Sequence, residues 1–206
     1  MDFLTIFPLY YLASVFKTMG MKMGHIDDNF LTWIGSIGAL ANGCSRIGWG
    51  PIYDKTGYRM IYKIIIGIEL VVCPLMPIVV AANKYLYLIC VFLGYLCLGA
   101  HFIISPNAMI QIFGLKSSVQ LCSFIYVTRA CSAFSGMLIS KALVASIDED
   151  SYSVMFYTSC APILLSFILL TTCFKEEPIR KEFVSEKIDD DFLSTKSLST
   201  VNENYV

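Results

Sequence analysis

The sequence has 206 residues, of which 56% are hydrophobic and 15% charged, with a mean hydropathy of +0.66. A soluble domain of this size carries about a quarter charged residues, so the composition points to lipid and excludes an ordinary water-soluble globule. The net charge of −1 leaves no basic footprint for nucleic acid, and the eight cysteines lie in apolar runs without a C-x-x-C pair. No zinc centre, disulfide framework, cofactor or catalytic site is therefore expected, and the chain does not read as an enzyme.

Residues 3–20 form the first candidate crossing. At about 1.5 Å per residue they cover about 27 Å, just under the hydrocarbon thickness, so the segment reads as a helix short of its first turns. His25-Ile26-Asp27-Asp28 is a wet turn in which either Asp can begin the next helix. Residues 29–49 form the second crossing. Gly35, Ala39 and Gly43 lie four apart and predict a face that admits a neighbouring helix closely; Gly38 widens it, and Asn42 and Arg46 continue it toward the far end.

Gly50-Pro51-Ile52-Tyr53-Asp54-Lys55-Thr56-Gly57-Tyr58-Arg59 then reads as a short charged turn bracketed by glycines. Residues 61–82 are the third crossing, with a bend expected from Pro74 and Pro77. Asn83-Lys84 is the briefest of turns, and residues 85–108 are the fourth crossing. Gly114 to Ser118 turns the chain into the fifth crossing, 119–142. Ile147 to Asp150 is an acidic turn before the sixth, 152–173.

From Lys175 to the end lie 5 of the 15 basic and 8 of the 16 acidic residues, followed by a Ser/Thr/Asn-rich stretch, the composition of a disordered tail. Lys55, Arg59, Lys63, Lys116, Lys175, Arg180 and Lys181 gather on one side of the predicted topology. Lys22 and Lys84 lie on the other among Asp27, Asp28 and the 148–150 acids. This asymmetry predicts a multi-pass membrane protein with both termini cytosolic, and leaves plasma and organelle membranes equally open.

Arg129, Glu69 and His101 stand out among the ionisable residues because each lies well inside a predicted crossing. Arg129 is too deep in the fifth to reach water easily, and an isolated guanidinium there costs at least about 2.5–3.5 kcal/mol. It calls for a counter-ion, a watery cavity or an anionic ligand, and its planar fork matches a carboxylate. Tyr126 shares its face, and Ala133 and Gly136 leave room nearby; a fixed pair with an acid from another helix is the competing reading. Glu69 in the third crossing is a candidate to compensate Arg129, relay a proton or act near a gate. His101 in the fourth is a candidate proton-coupling group or an interhelical hydrogen-bond donor.

The spacing Gly50-x-x-x-Asp54-Lys55-x-Gly57-x-Arg59, between the second and third crossings, resembles the signature loop of the major facilitator superfamily, with Tyr58 in place of one basic residue. In that setting Asp54 would neutralise a nearby cation or cap a helix start, Gly50 and Gly57 would permit close approach and the turn, and Arg59 would face anionic lipid or an acid. The run Asn42-Gly43-Cys44-Ser45-Arg46-Ile47-Gly48-Trp49-Gly50, continuing to Asp54, resembles the oxalate/formate antiporter and monocarboxylate transporter group within the superfamily. Ser45 precedes Arg46 where a glycine is usual. Gly99-Ala100-His101-Phe102 with Pro106 resembles the group's tenth helix. Tyr126-Val127-Thr128-Arg129-Ala130 is similar to its eleventh-helix segment, where a lysine binds the carboxylate; here the charge is an arginine.

The resemblance spans residues 1–174 and implies an all-α, polytopic six-helix half of a major facilitator fold, corresponding to helices seven to twelve. It further implies alternating-access transport of a small organic anion, by exchange or proton symport. Arg129, Tyr126 and His101 would bind substrate, and Asn42, Arg46, Gly50, Asp54, Gly57, Arg59 and Glu69 would serve conformational coupling. The implied partners are the anion, protons, membrane lipid, and an N-terminal six-helix half or a partner subunit. A sugar or amino-acid facilitator and a non-transporting half-size protein with a scaffolding or regulatory role are the alternatives.

Overall fold

The computed structural model describes residues 2–145 and 150–172. Outside 23–27 and Asn83 every described residue is helical, in four elements: α1 (Asp2–Lys22), α2 (Asp28–Ala82), α3 (Lys84–Ala145) and α4 (Asp150–Thr172). The expected all-α class holds. The acidic turn at 147–150 falls outside the described residues except for Asp150, and the polar tail from Lys175 lies wholly outside them.

A straight helix of 55 residues, the length of α2, would run about 80 Å, far beyond any bilayer core. It is broken at Gly57 (φ 76°, ψ 166°), and α3 is broken in nearly the same way at Gly114 (φ 76°, ψ 165°). That backbone region belongs essentially to glycine, which explains why each break falls where it does. The charged stretch expected as a turn is therefore helical through Thr56, and one residue makes the reversal. Asp54, Lys55 and Thr56 are exposed on the last turn before it, where water solvates their side chains without interrupting the helix.

The two breaks divide the described chain into six limbs that alternate in direction. Leu12 meets Gly94, the Phe16 carbonyl accepts from Tyr87, and Ser105 donates to Asp2, so α1 runs against the first limb of α3. The first limb of α2 runs with that limb, through Gly38–Tyr95 and Tyr53–Gln111. The second limb of α2 runs with α1, through Thr5–Tyr62 and Gly24–Val80, and so does the second limb of α3, through Asp2–Arg129 and Tyr11–Gly136. α4 opposes α1, with Phe156 on Tyr11 and Lys22 over Tyr152. Arg59 closes one end by donating to the Thr171 carbonyl at 2.7 Å, a cation on orphan carbonyls near a helix C-terminus.

Four helical stretches, Asp28–Ala82, Lys84–Gly114, Ser118–Ile139 and Tyr152–Thr172, are long and apolar enough to cross a membrane. α1 falls outside that set. Its polar content is tolerated because neighbours cover it: Thr5, Ile6, Leu9, Tyr11, Leu12, Val15 and Met19 are all buried. Asp27 caps α2 by accepting from the Asn29 amide, and Asn83 likewise caps α3 through the Tyr85 amide. The small-residue face of the second crossing is used differently from its spacing. Gly38 lies under Tyr95 and Gly35 under Phe16, but a Cβ placed on Gly43 would meet nothing within 4 Å. The tightest approach at a described glycine is instead at Gly99, against Asn42 and Ser45.

Candidate functional site

The alternating limbs bring five polar side chains together between the levels of His101 and Ser105, well inside the first limb of α3. Arg129, on the second limb of α3, is 2% exposed. Its Nε donates to Asp2 Oδ2 at 2.8 Å and its Nη2 lies 3.2 Å from Asp2 Oδ1. Nη2 also reaches the His101 carbonyl at 2.7 Å and Ser105 Oγ at 2.8 Å, while the Ser105 hydroxyl donates to Asp2 Oδ1 at 2.8 Å. Three acceptors thus crowd the two hydrogens of Nη2. Nη1 is buried with no hydrogen-bond partner among the described residues.

His101 is fully buried between two carboxylates. Its Nε2 lies 2.8 Å from Glu69 Oε1, and its Nδ1 lies 3.5 Å from Asp2 Oδ1, too long for a hydrogen bond. Glu69 Oε2 has no partner among the described residues. Tyr62 packs edge-on against the imidazole, and its hydroxyl shares a 3.1 Å hydrogen bond with Thr5. Arg129, Asp2, His101 and Glu69 therefore form one line in which bases and acids alternate, drawn from α1, the second limb of α2 and both limbs of α3.

Aromatic rings flank the guanidinium. Arg129 lies over Phe102 at 5.0 Å and over Tyr126 at 5.4 Å, and Arg46 lies over the same Phe102 at 4.3 Å. Arg46 and Tyr126 are exposed, so the arrangement is a buried cation beside an aromatic rim that carries a second cation. Chemically it can hold a carboxylate and move protons between neighbouring groups.

The fold thus gathers Arg129, Tyr126, His101, Glu69 and Arg46. Asn42 stands about one turn before Arg46, against Gly99, with its side-chain oxygen buried and unpartnered among the described residues. Gly50, Asp54, Gly57 and Arg59 lie apart, at the end of the bundle marked by the Gly57 break. Asp2 and Ser105 were not singled out in the sequence, and Phe102 entered only as a member of the Gly99-Ala100-His101-Phe102 run, without a role of its own. For Asp2 the available signal was a carboxylate at the head of a crossing that otherwise lacks acids.

The family model described as Major Facilitator Superfamily matches residues 2–202. The chain is 23% identical over 175 residues to "Apicoplast pyruvate carrier 1" of Toxoplasma gondii, covering 81% of this chain and 32% of that protein. It is 24% identical over 136 residues to the "Oxalate:formate antiporter" of Oxalobacter formigenes, covering 66% of this chain and 32% of that protein. The matched region spans about a third of the length of each relative. With a helical, apolar architecture and a family match over nearly all of its length, this chain belongs to the major facilitator superfamily of membrane transporters.

Proposed function

We propose that the chain is the C-terminal six-helix half of a carrier for a small organic anion, of the monocarboxylate or oxalate/formate kind, working by alternating access. In this reading residues 1–174 make six crossings, 175–206 form a cytosolic tail, and both termini face the cytosol. The observation that carries the reading is Arg129, a guanidinium buried among helices whose Nη1 finds no acceptor among the described residues. Such a group, beside an aromatic rim carrying Arg46, suits a small planar carboxylate. The names of the two relatives, a pyruvate carrier and an oxalate:formate antiporter, favour the same ligand class.

Arg129 is the anion anchor, with Tyr126 and His101 beside it. Glu69 and Arg46 couple the site to the surrounding limbs, and Asn42 lines the tight contact below it. Gly50, Asp54, Gly57 and Arg59 govern the end of the bundle that rocks. Coupling is by exchange or by proton symport. The Arg129–Asp2 contact favours one competing reading, a fixed structural ion pair.

Uptake in the complete carrier separates the two. Arg129→Gln should abolish uptake of labelled carboxylate while surface expression stays near normal, with Arg129→Lys retaining part of the activity. Loss of folding, with normal flux through the molecules that survive, would establish the fixed pair instead. Competition by lactate, formate, oxalate and glucose distinguishes an acid carrier from a sugar carrier.

A further inference from the structure

The contact between Asp2 and Arg129 has the geometry a bound carboxylate would adopt. One oxygen sits on Nε at 2.8 Å and the other on Nη2 at 3.2 Å, which is the side-on fork of an arginine–carboxylate pair. The acceptor is a side chain of the protein itself. Beside it stands a second group able to receive it, since His101 Nδ1 is buried, without a hydrogen bond, and 3.5 Å from Asp2 Oδ1. A shift of under about 1 Å would bring that pair within ordinary hydrogen-bond range.

We propose that Asp2 is a resident carboxylate that occupies Arg129 in the empty carrier, passes to His101 when a substrate carboxylate takes the guanidinium, and thereby selects monoanions over dianions. The proposal rests on the anion-carrier reading above and deepens it by assigning charge selectivity to a residue of α1.

Charge bookkeeping around the site explains the selectivity. The groups facing it are Asp2 and Tyr10 from α1, Arg46 from the first limb of α2, and Glu69 and Tyr62 from the second. His101 comes from the first limb of α3, and Arg129 and Tyr126 from the second. One proton between His101 Nε2 and Glu69 Oε1 makes those two neutral together and leaves Nδ1–H free to donate to Asp2. Asp2 and Arg129 cancel. Arg46 alone remains, so the set carries one positive charge and a monoanion brings it to neutrality. A dianion leaves an excess negative charge beside Asp2, which a poorly solvated site disfavours. On the Arg129 guanidinium itself, two carboxylates would leave one excess negative charge, which favours the transfer of Asp2 to His101 Nδ1.

The test is equilibrium binding of pyruvate and oxalate to the full-length protein in proteoliposomes, wild type against Asp2→Asn. Removing the resident carboxylate frees Arg129 and leaves two net positive charges. Both anions should bind more tightly, because the competent state is no longer held back by the internal competitor. The ratio of oxalate to pyruvate affinity should rise about tenfold, equivalent to about 1.4 kcal/mol. An unchanged ratio, or weaker binding of both anions, would overturn the proposal while leaving the anion site intact. Failure of the wild type to bind either anion would overturn the carrier reading, and this inference with it.

A measurement on the wild type covers the case in which Asp2→Asn does not fold. With side-chain carboxyls of aspartate labelled with carbon-13, pyruvate addition should shift an aspartate carboxylate band in the infrared difference spectrum. Absence of any such shift at saturating pyruvate would show that Asp2 does not change partner.

Discussion

The tight approach at Gly99 makes a quantitative prediction. A Cβ placed there would fall inside van der Waals contact of Ser45 Oγ and of the Asn42 carbonyl oxygen. The carbonyl belongs to the backbone of the first limb of α2 and cannot swing aside. The Ser45 hydroxyl already donates to that carbonyl at 2.9 Å and would have to leave it. Replacing Gly99 by Ala improves helix propensity by about 0.5–1 kcal/mol. Against that stand about 1–3 kcal/mol of overpacking and about 1 kcal/mol for the displaced hydrogen bond. The net effect is a loss of about 1–3 kcal/mol, or a fall in melting temperature of roughly 3–10 °C for a chain of this size.

Gly43→Ala is the matched control. Nothing lies within 4 Å of its Cβ position, so the propensity gain stands alone and the protein should melt at the same temperature or slightly higher. A thiol-reactive fluorophore suits the assay, because Cys97, Cys73 and Cys90 are buried and become reactive only on unfolding, above a baseline from the exposed Cys44 and Cys131. The packing argument is wrong if Gly99→Ala melts with the wild type, or if Gly43→Ala is the more damaging change.

Two further substitutions probe the break and the buried carboxylate. Gly57→Ala places its Cβ in open space, so its whole cost is backbone strain at φ 76°, ψ 166°, about 1–3 kcal/mol; a circular dichroism melt superimposable on the wild type would contradict the assignment of the break to glycine. Glu69→Gln keeps a hydrogen-bonding partner for His101 Nε2, whereas Glu69→Leu strands a fully buried nitrogen. The leucine variant should therefore be the less stable by about 1–3 kcal/mol in chemical denaturation, and equal stabilities would mean that the His101–Glu69 contact contributes nothing.

The helical character was legible because membrane helices are written in long apolar runs. Arg129 stood out for the related reason that a charge in such a run demands compensation. Its partner was harder to find. Asp2 precedes an apolar segment and reads locally as a residue at a helix start. Its placement beside Arg129 depends on the register of α1 against α3, which is fixed by remote contacts such as Leu12 on Gly94. Glu69 was a candidate counter-ion for Arg129, but the fold pairs it with His101, two acids and two bases being divided by geometry that spacing alone does not contain. The glycine spacing of the second crossing likewise marks a face that can be approached, not the residue at which a neighbour arrives. The charged stretch before Gly57 read as a turn because charge and helix ends often coincide; there the helix simply continues into water and only the glycine stops it.

The single-residue breaks at Gly57 and Gly114 also set the kinematics of the bundle. A reversal made by one residue has little slack: the α-carbons that flank it are at most about 7 Å apart, which bounds how far one limb can slide along its neighbour before the backbone is taut. Sliding by a full helical turn, about 5.4 Å, would use most of that reach. The limbs joined at these two points are therefore held to short slides and to tilting and twisting about a pivot, and the angular freedom of two glycines sets much of the motion available at that end of the bundle.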